Sequence, residues 1–195
     1  MSAAKTPELR ILSGKFKGTK LKSPGLATTH PMGSREKLAL FNMLAPYLEG
    51  ATVLDYFAGS GALGLEALSR GAASVTFVEN NPKAQKAIEE NCSNFNMGGS
   101  HGAPSNLACG SRGPRTQITW GNARQDPMLK LPTYDLIISD PPYDNYQVPD
   151  YAKLLKKGGI LALSHPKSFN PESITGLTLL KTNHYAACYI SLYTK

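Results

Sequence analysis

The stretch Val53–Gly64, VLDYFAGSGALG, constrains the fold more than any other part of the chain. An apolar run of strand type turns at Gly59, Gly61 and Gly64, in G-x-G-x-x-G spacing, and passes into LGLEALSRG, which reads as a helix stopped by Gly71. Further β and α units follow in alternation. SVTFVE is a strand and NPKAQKAIEENCSNF a helix with Pro82 near its start. TQITW and YDLIISD are strands, YQVPDYAKLLKKG holds a helix ending at Gly158-Gly159, and ILALS is a strand. Residues 176–182 and 186–193 read as two last strands with no helix between them, so one of them is expected to run antiparallel. The expectation is an α/β fold with a mostly parallel sheet covered on both faces.

Upstream, Ser34 is placed to cap a helix reaching about Leu48, with Leu38, Phe41, Ala45 and Leu48 on one face. Residues 9–24 read as short strands with turns at Ser13-Gly14 and Gly18, a small β-hairpin. The domain reading is an N-terminal basic extension over residues 1–33 and one domain over 34–195. Residues 97–115, MGGSHGAPSNLACGSRGPR, lack apolar periodicity and read as a flexible insertion.

Charge is concentrated at the N-terminal end. The 195-residue chain carries a net charge of +7. Between Lys5 and Lys22 six lysines and arginines face one acid, Glu8. In GKFKGTKLK, glycines and an aromatic separate the lysines, a pattern suited to presenting cations to phosphates. Arg10, Lys15, Lys17, Lys20, Lys22 and Arg35 are the candidate nucleic-acid contacts. No apolar stretch is long enough to span a bilayer, and the first ten residues lack the apolar core of a secretory signal. Cys92, Cys109 and Cys188 are odd in number and widely spaced. They suggest neither a zinc site nor a disulfide framework, and fit a reducing cytoplasm.

The glycine loop alone admits two cofactors. Glu79 ends the next strand, 20 residues after Gly59, where an acid would meet ribose hydroxyls of a dinucleotide or of S-adenosylmethionine. Asp55 separates the two. A carboxylate four residues before Gly59 would repel a pyrophosphate, whereas it suits a sulfonium and an ammonium. Asp55, Phe57, Gly59, Ser60, Gly61, Gly64, Glu79 and Asn80 form the candidate cofactor set.

The second discriminating feature is Asp140-Pro141-Pro142-Tyr143 at the end of a later strand. The exocyclic nitrogen of a base is a poor nucleophile because its lone pair is delocalised into the ring. Two acceptors on its N–H groups favour a pyramidal nitrogen and aim the lone pair. The Asp140 carboxylate supplies one acceptor, and the Pro141 carbonyl, fixed by Pro142, supplies the other. Tyr143 offers a ring on which a flipped base can stack. The prolines set this geometry before substrate arrives. The transfer requires no metal.

With these motifs in order, the chain resembles the bacterial RsmD-type methyltransferases, which modify guanine N2 in small-subunit (16S) ribosomal RNA. The likeness runs through RILSGKFKGTKLKSP, REKLALFNML, VLDYFAGSGALGLEALSRGAASVTFVE and YDLIISDPPYD, and covers most of the chain outside residues 97–115. It implies an α/β, Rossmann-like fold with a seven-stranded, mostly parallel sheet, S-adenosylmethionine as cofactor, and ribosomal RNA in a small subunit or late assembly intermediate as partner, met by a monomer. It also places Asn122 and Ala123 near the adenine, where the family often has Gly-Asp-Ala and this chain has Gly121-Asn122-Ala123. Other departures are His30-Pro31-Met32 for Arg-Pro-Thr, Leu38 for an acid, and Ser164 for a common Glu. A DNA adenine-N6 methyltransferase, a catalytically idle RNA-binding assembly factor and, more distantly, a NAD-dependent oxidoreductase remain as alternatives.

Overall fold

The computed structural model describes residues 8–25, 32–94, 131–143, 148–185 and 188–195, together with the backbone of 115–120. Its centre is a seven-stranded sheet in the order β3-β2-β1-β4-β5-β7-β6. The strands are β1 (Thr52–Tyr56), β2 (Ser74–Glu79), β3 (Arg115–Trp120), β4 (Tyr134–Ser139), β5 (Leu155–His165), β6 (Thr178–His184) and β7 (Tyr189–Thr194). β1 to β5 are parallel, and β7 runs antiparallel to both its neighbours, β5 and β6. The helices are α1 (Ser34–Leu44), α2 (Ala62–Ser69), α3 (Pro82–Asn94) and the single turn α4 (Tyr151–Leu154). Among the described residues no helix is long and apolar enough to cross a membrane.

Strand alternation separates two cores. Val53, Val75, Phe77, Leu136, Ile138, Ile160 and Ala162 face one layer with α1, α2 and α3. Leu54, Tyr56, Val78, Ile137, Leu161 and Leu163 face the other, against Tyr151 and Tyr193. A strand with apolar residues at both parities is buried on both faces, which is why these segments read as continuous apolar runs. Phe77 is fully buried and Cys92 packs against the first core, as their apolar character suggests.

Several expected boundaries differ. The helix expected from Ser34 to Leu48 ends at Leu44, and Ala45–Tyr47 continue as a tighter turn around Pro46. Gly33, not Ser34, is its N-cap. Leu38, expected on the buried face, is 45% exposed; Lys37 is buried in its place. The helix expected to run to Gly158-Gly159 is one turn, because Leu155 already pairs with Tyr134 in the sheet. The register then shifts, so Lys156–Gly159 bulge out before Ile160 pairs with Leu136. Arg115, placed at the end of the insertion, opens β3. The remainder of that insertion lies outside the described residues.

The basic extension folds back antiparallel, but its ladder is a single bridge, Arg10 to Lys20, rather than paired strands. Backbone bonds from Ile11 N–H to Thr19 O at 3.0 Å and from Leu21 N–H to Leu9 O at 2.8 Å hold its two arms. Side-chain anchors do the rest. The Glu66 carboxylate on α2 accepts from Leu12 N–H at 2.7 Å and Ser13 N–H at 3.0 Å. Ser69 Oγ accepts from Phe16 N–H and donates to Ser13 O. Asn91 on α3 accepts from Lys22 N–H at 2.7 Å and donates to Lys22 O at 3.0 Å. Ile11 and Leu21 enter the first core.

Candidate active site

β1 and β4 are neighbours, with Asp55 opposite Ile138 and Tyr56 opposite Ser139. Asp55 has the parity of Val53, and Asp140 continues that of Leu136 and Ile138. Both acids therefore fall on the α1–α3 face at the C-terminal end of the sheet. The strand order reverses here: β2 and β3 extend to one side of β1, and β4 and β5 to the other. Loops leaving in opposite directions open a crevice at such a point.

The glycine loop is shaped by close approach. Gly59 and Gly61 have φ of +56° and +76°, a left-handed conformation that L side chains rarely adopt. A Cβ on Gly64 would lie 2.4 Å from Phe77 Cε1 and 2.7 Å from Val75 Cγ1, so α2 can sit this close to β2 only with glycine there. A Cβ on Gly59 would meet nothing within 4 Å, so the loop borders open space on that side. Phe57 also has positive φ, +71°, a strained state for an aromatic residue. Its ring is half-buried, edge-on to Tyr56 at 5.2 Å. Tyr56 packs at 5.8 Å from Tyr151.

Asp55 is 1% exposed. Its Oδ2 accepts from Gly64 N–H at 2.8 Å, while Oδ1 is buried with no hydrogen-bond partner among the described residues. Burial, with smaller contributions from Asp140 and Glu79, raises its pKa from 3.8 to about 8; the Gly64 N–H opposes the rise. An orphaned carboxylate oxygen beside a glycine loop is a place for a cationic group, and the ammonium of S-adenosylmethionine fits it. Glu79 Oε2 accepts from Gly59 N–H at 2.7 Å, and Oε1 from Asn80 N–H and Asn81 N–H at 2.8 Å each. A carboxylate oxygen has lone pairs for a further donor, so ribose hydroxyls can be accepted without breaking these bonds. Ser60 is buried, and its carbonyl accepts from Asn91 Nδ2 at 2.9 Å. Asn122 and Ala123 lie outside the described residues, as does His30.

On the second strand, Asp140 is half-buried and Pro141 buried, with Pro142 exposed. Desolvation raises the Asp140 carboxyl to about 6, and a hydrogen bond from Ser164 opposes the rise. Tyr143 is 36% exposed, yet its hydroxyl turns inward to Ser164 Oγ at 2.5 Å. Burial pushes that phenol well above its ordinary value. Cys188, buried next to β7, is raised mainly by desolvation and neighbours Ser164, Asp140 and Tyr143.

The basic residues do not form one uniform patch. Glu8 takes both Arg10 and Lys20, and Lys22 pairs with Glu90 at 2.7 Å. Lys15 lies over the Phe16 ring at 5.4 Å. Among the described residues Lys15, Lys17 and Arg35 have no acid partner, and all three are exposed. Three structural contributors were given no role by the sequence reading. Glu66 was visible as a lone acid inside the apolar ALGLEALS, and Ser164 as the polar end of ILALS. Asn91 carried no such signal.

The model of a family described as "Conserved hypothetical protein 95" matches residues 9–194. The chain is 32% identical over 155 residues to ribosomal RNA small subunit methyltransferase D of Escherichia coli strain K12, covering 80% of this chain and 70% of that one. It is 28% identical over 194 residues to YlbH of Bacillus subtilis, covering 96% and 99%. Among solved structures, yhhF of Escherichia coli superposes with a TM-score of 0.76 at 25% identity, covering 96% and 98%.

Proposed function

The chain belongs to the "Conserved hypothetical protein 95" family, and from that membership and the site we propose that it is an S-adenosylmethionine-dependent methyltransferase acting on the exocyclic N2 of a guanine in small-subunit (16S) ribosomal RNA, within a small subunit or late assembly intermediate. The observation that carries the reading is the pair of acids at adjoining strand ends: Asp55, with one buried oxygen unpartnered among the described residues beside the glycine loop, and Asp140, which opens Asp-Pro-Pro-Tyr.

S-adenosylmethionine, when bound, supplies a methyl group activated by its sulfonium for in-line displacement. Asp55 and Glu79 are the residues that would hold its ammonium and its ribose. On the substrate side, the Asp140 carboxylate accepts one amino hydrogen and the Pro141 carbonyl the other. With a pKa of about 6, Asp140 is mostly ionised at neutral pH and so serves as an acceptor. These bonds strengthen as the nitrogen becomes tetrahedral, so their effect falls on the transition state. Tyr143, exposed as a ring and tethered by its hydroxyl, receives the face of the base. The exposed cations Lys15, Lys17 and Arg35 contact phosphates.

The test combines binding with transfer. Calorimetry should show heat with S-adenosylmethionine and none with NAD. Purified protein should move a labelled methyl group onto undermodified small ribosomal subunits, and digestion should recover the label as N2-methylguanine. Absence of cofactor binding, or label on adenine, contradicts the reading.

A further inference from the structure

We propose that Asn91 is a positioning residue for the cofactor loop and ties that loop to the basic extension, so that the extension backbone helps to shape the cofactor site. The inference rests on the reading of Gly59–Gly64 as the S-adenosylmethionine loop. Asn91 lies on α3 and is fully buried. It follows Ile88 by three residues and shares its face of the helix. A Cβ on Gly61 would come within 3.3 Å of Ile88 Cγ1, so α3 presses on the loop one turn before Asn91.

The Asn91 carboxamide bonds to two segments far apart in the chain. Oδ1 accepts from Lys22 N–H at 2.7 Å, and Nδ2 donates to Lys22 O at 3.0 Å and to Ser60 O at 2.9 Å. A backbone N–H only donates, so the atom facing it is the oxygen and the orientation of the amide is fixed. Lys22 gives both its backbone groups to one side chain, as a residue of a β-ladder gives them to its opposite number. The second Nδ2 hydrogen is left for the loop.

Ser60 stands between Gly59 and Gly61, both with positive φ, where the backbone is freest to turn. Gly59 N–H is held by Glu79 and Gly64 N–H by Asp55, the acids read as ligands of the cofactor itself. The Ser60 carbonyl is held by Asn91, and Asn91 is held by the extension. A carboxamide bonded to Ser60 alone could rotate about its side chain; the two bonds to Lys22 prevent this. The Lys22 side chain adds only an exposed pair with Glu90 at 2.7 Å, a weak clasp by comparison. Without Asn91 the Ser60 peptide is free to turn, and the cofactor must order it on binding.

Two measurements test this. The first uses the wild-type protein with its NMR resonances assigned. Saturation with S-adenosylmethionine should shift both Asn91 side-chain amide protons and the backbone amide of Lys22, which the Asn91 carboxamide separates from the loop. The second is calorimetry with S-adenosylmethionine on Asn91→Ala and on Asn91→Asp, which keeps the acceptor for Lys22 N–H and loses both donated bonds. Each variant that folds should raise the cofactor Kd about fivefold, the net loss of one hydrogen bond, with binding stoichiometry unchanged. A folding defect alone would lower the stoichiometry instead. Glu90→Gln, which removes only the exposed pair, should keep the wild-type Kd. In steady-state assays the Asn91 variants should raise the cofactor KM and keep kcat within about twofold of wild type. Unmoved Asn91 and Lys22 resonances in the saturated wild type, a wild-type Kd in a folded Asn91 variant, or an equal loss in Glu90→Gln overturns the tie through Asn91 and leaves the proposed function standing. Absence of S-adenosylmethionine binding by the wild type overturns the proposed function, and with it the role of Asn91.

Discussion

Asp55 and Asp140 are both raised by burial, yet they should respond to pH in different measurements. Asp140 must be ionised to accept, so kcat should fall as pH drops through about 6. Asp140→Ala should lower kcat by roughly 10- to 100-fold with little change in cofactor Kd, as expected for a lost hydrogen bond to a charged group. Asp140→Asn keeps an acceptor oxygen and should retain more activity than Ala; equal activity of Ala and wild type would remove Asp140 from the mechanism. Asp55, at about 8, is mostly protonated at neutral pH in the ligand-free protein. Binding an ammonium favours its ionised form, so cofactor binding at pH 7 should release protons. Calorimetry in two buffers of different ionisation enthalpy reads this directly, and identical heats would contradict it. The same raised value has a stability consequence. The folded state binds more protons than the unfolded state, so Asp55's contribution is fully present below about 4 and is lost as pH rises through about 8. The residue types at both positions were legible in the sequence. Asp55's orphaned oxygen was not, because it depends on how closely α2 approaches β2. Neither was the tie from Tyr143 to Ser164, which joins the loop after β4 to a residue of β5 21 positions on.

At the scale of elements, the extension is built into the domain core more firmly than its composition suggests. The sequence shows a basic hairpin suited to presenting cations. The structure shows Ile11 and Leu21 in the core, and buried Glu66 and Asn91 partnered by extension backbone. Deleting residues 1–24 should therefore destabilise the whole protein. Glu66→Ala isolates the anchor. It leaves the amides of Leu12 and Ser13 unpaired, removes the carboxylate bonded to Arg70 Nε, and strips buried Lys37 of its acid at 3.8 Å. Breaking a buried ion pair in this way costs about 3–5 kcal/mol, measurable by chemical denaturation. A loss under 1 kcal/mol, the size of a surface pair, would show that the anchor is dispensable. Lys15→Ala with Lys17→Ala removes exposed charge without touching the anchor. It should weaken RNA binding across sequences and reduce the salt slope by about one per lysine; an unchanged slope would take these lysines off the RNA. The α4–β5 boundary illustrates the limit of local pattern. YAKLLKK is helical by propensity, but a sheet partner for Leu155, supplied by Tyr134 in a separate segment, overrides it.

At the scale of the molecule, the parallel β/α alternation was legible because strands buried on both faces form continuous apolar runs bounded by glycine, proline and acids. The helix-free final pair correctly announced an antiparallel strand. The sequence could not show that the extension and α1 share a sheet face with both acids. That arrangement depends on which parity of each strand turns toward which layer. The measurement that tests the central claim most directly is nucleoside mass spectrometry of 16S ribosomal RNA from cells with and without this gene. The account predicts that one N2-methylguanine disappears with the gene and returns with the wild-type copy but not with Asp140→Ala. An unchanged N2-methylguanine content, or the loss of a methylated adenine instead, would contradict it.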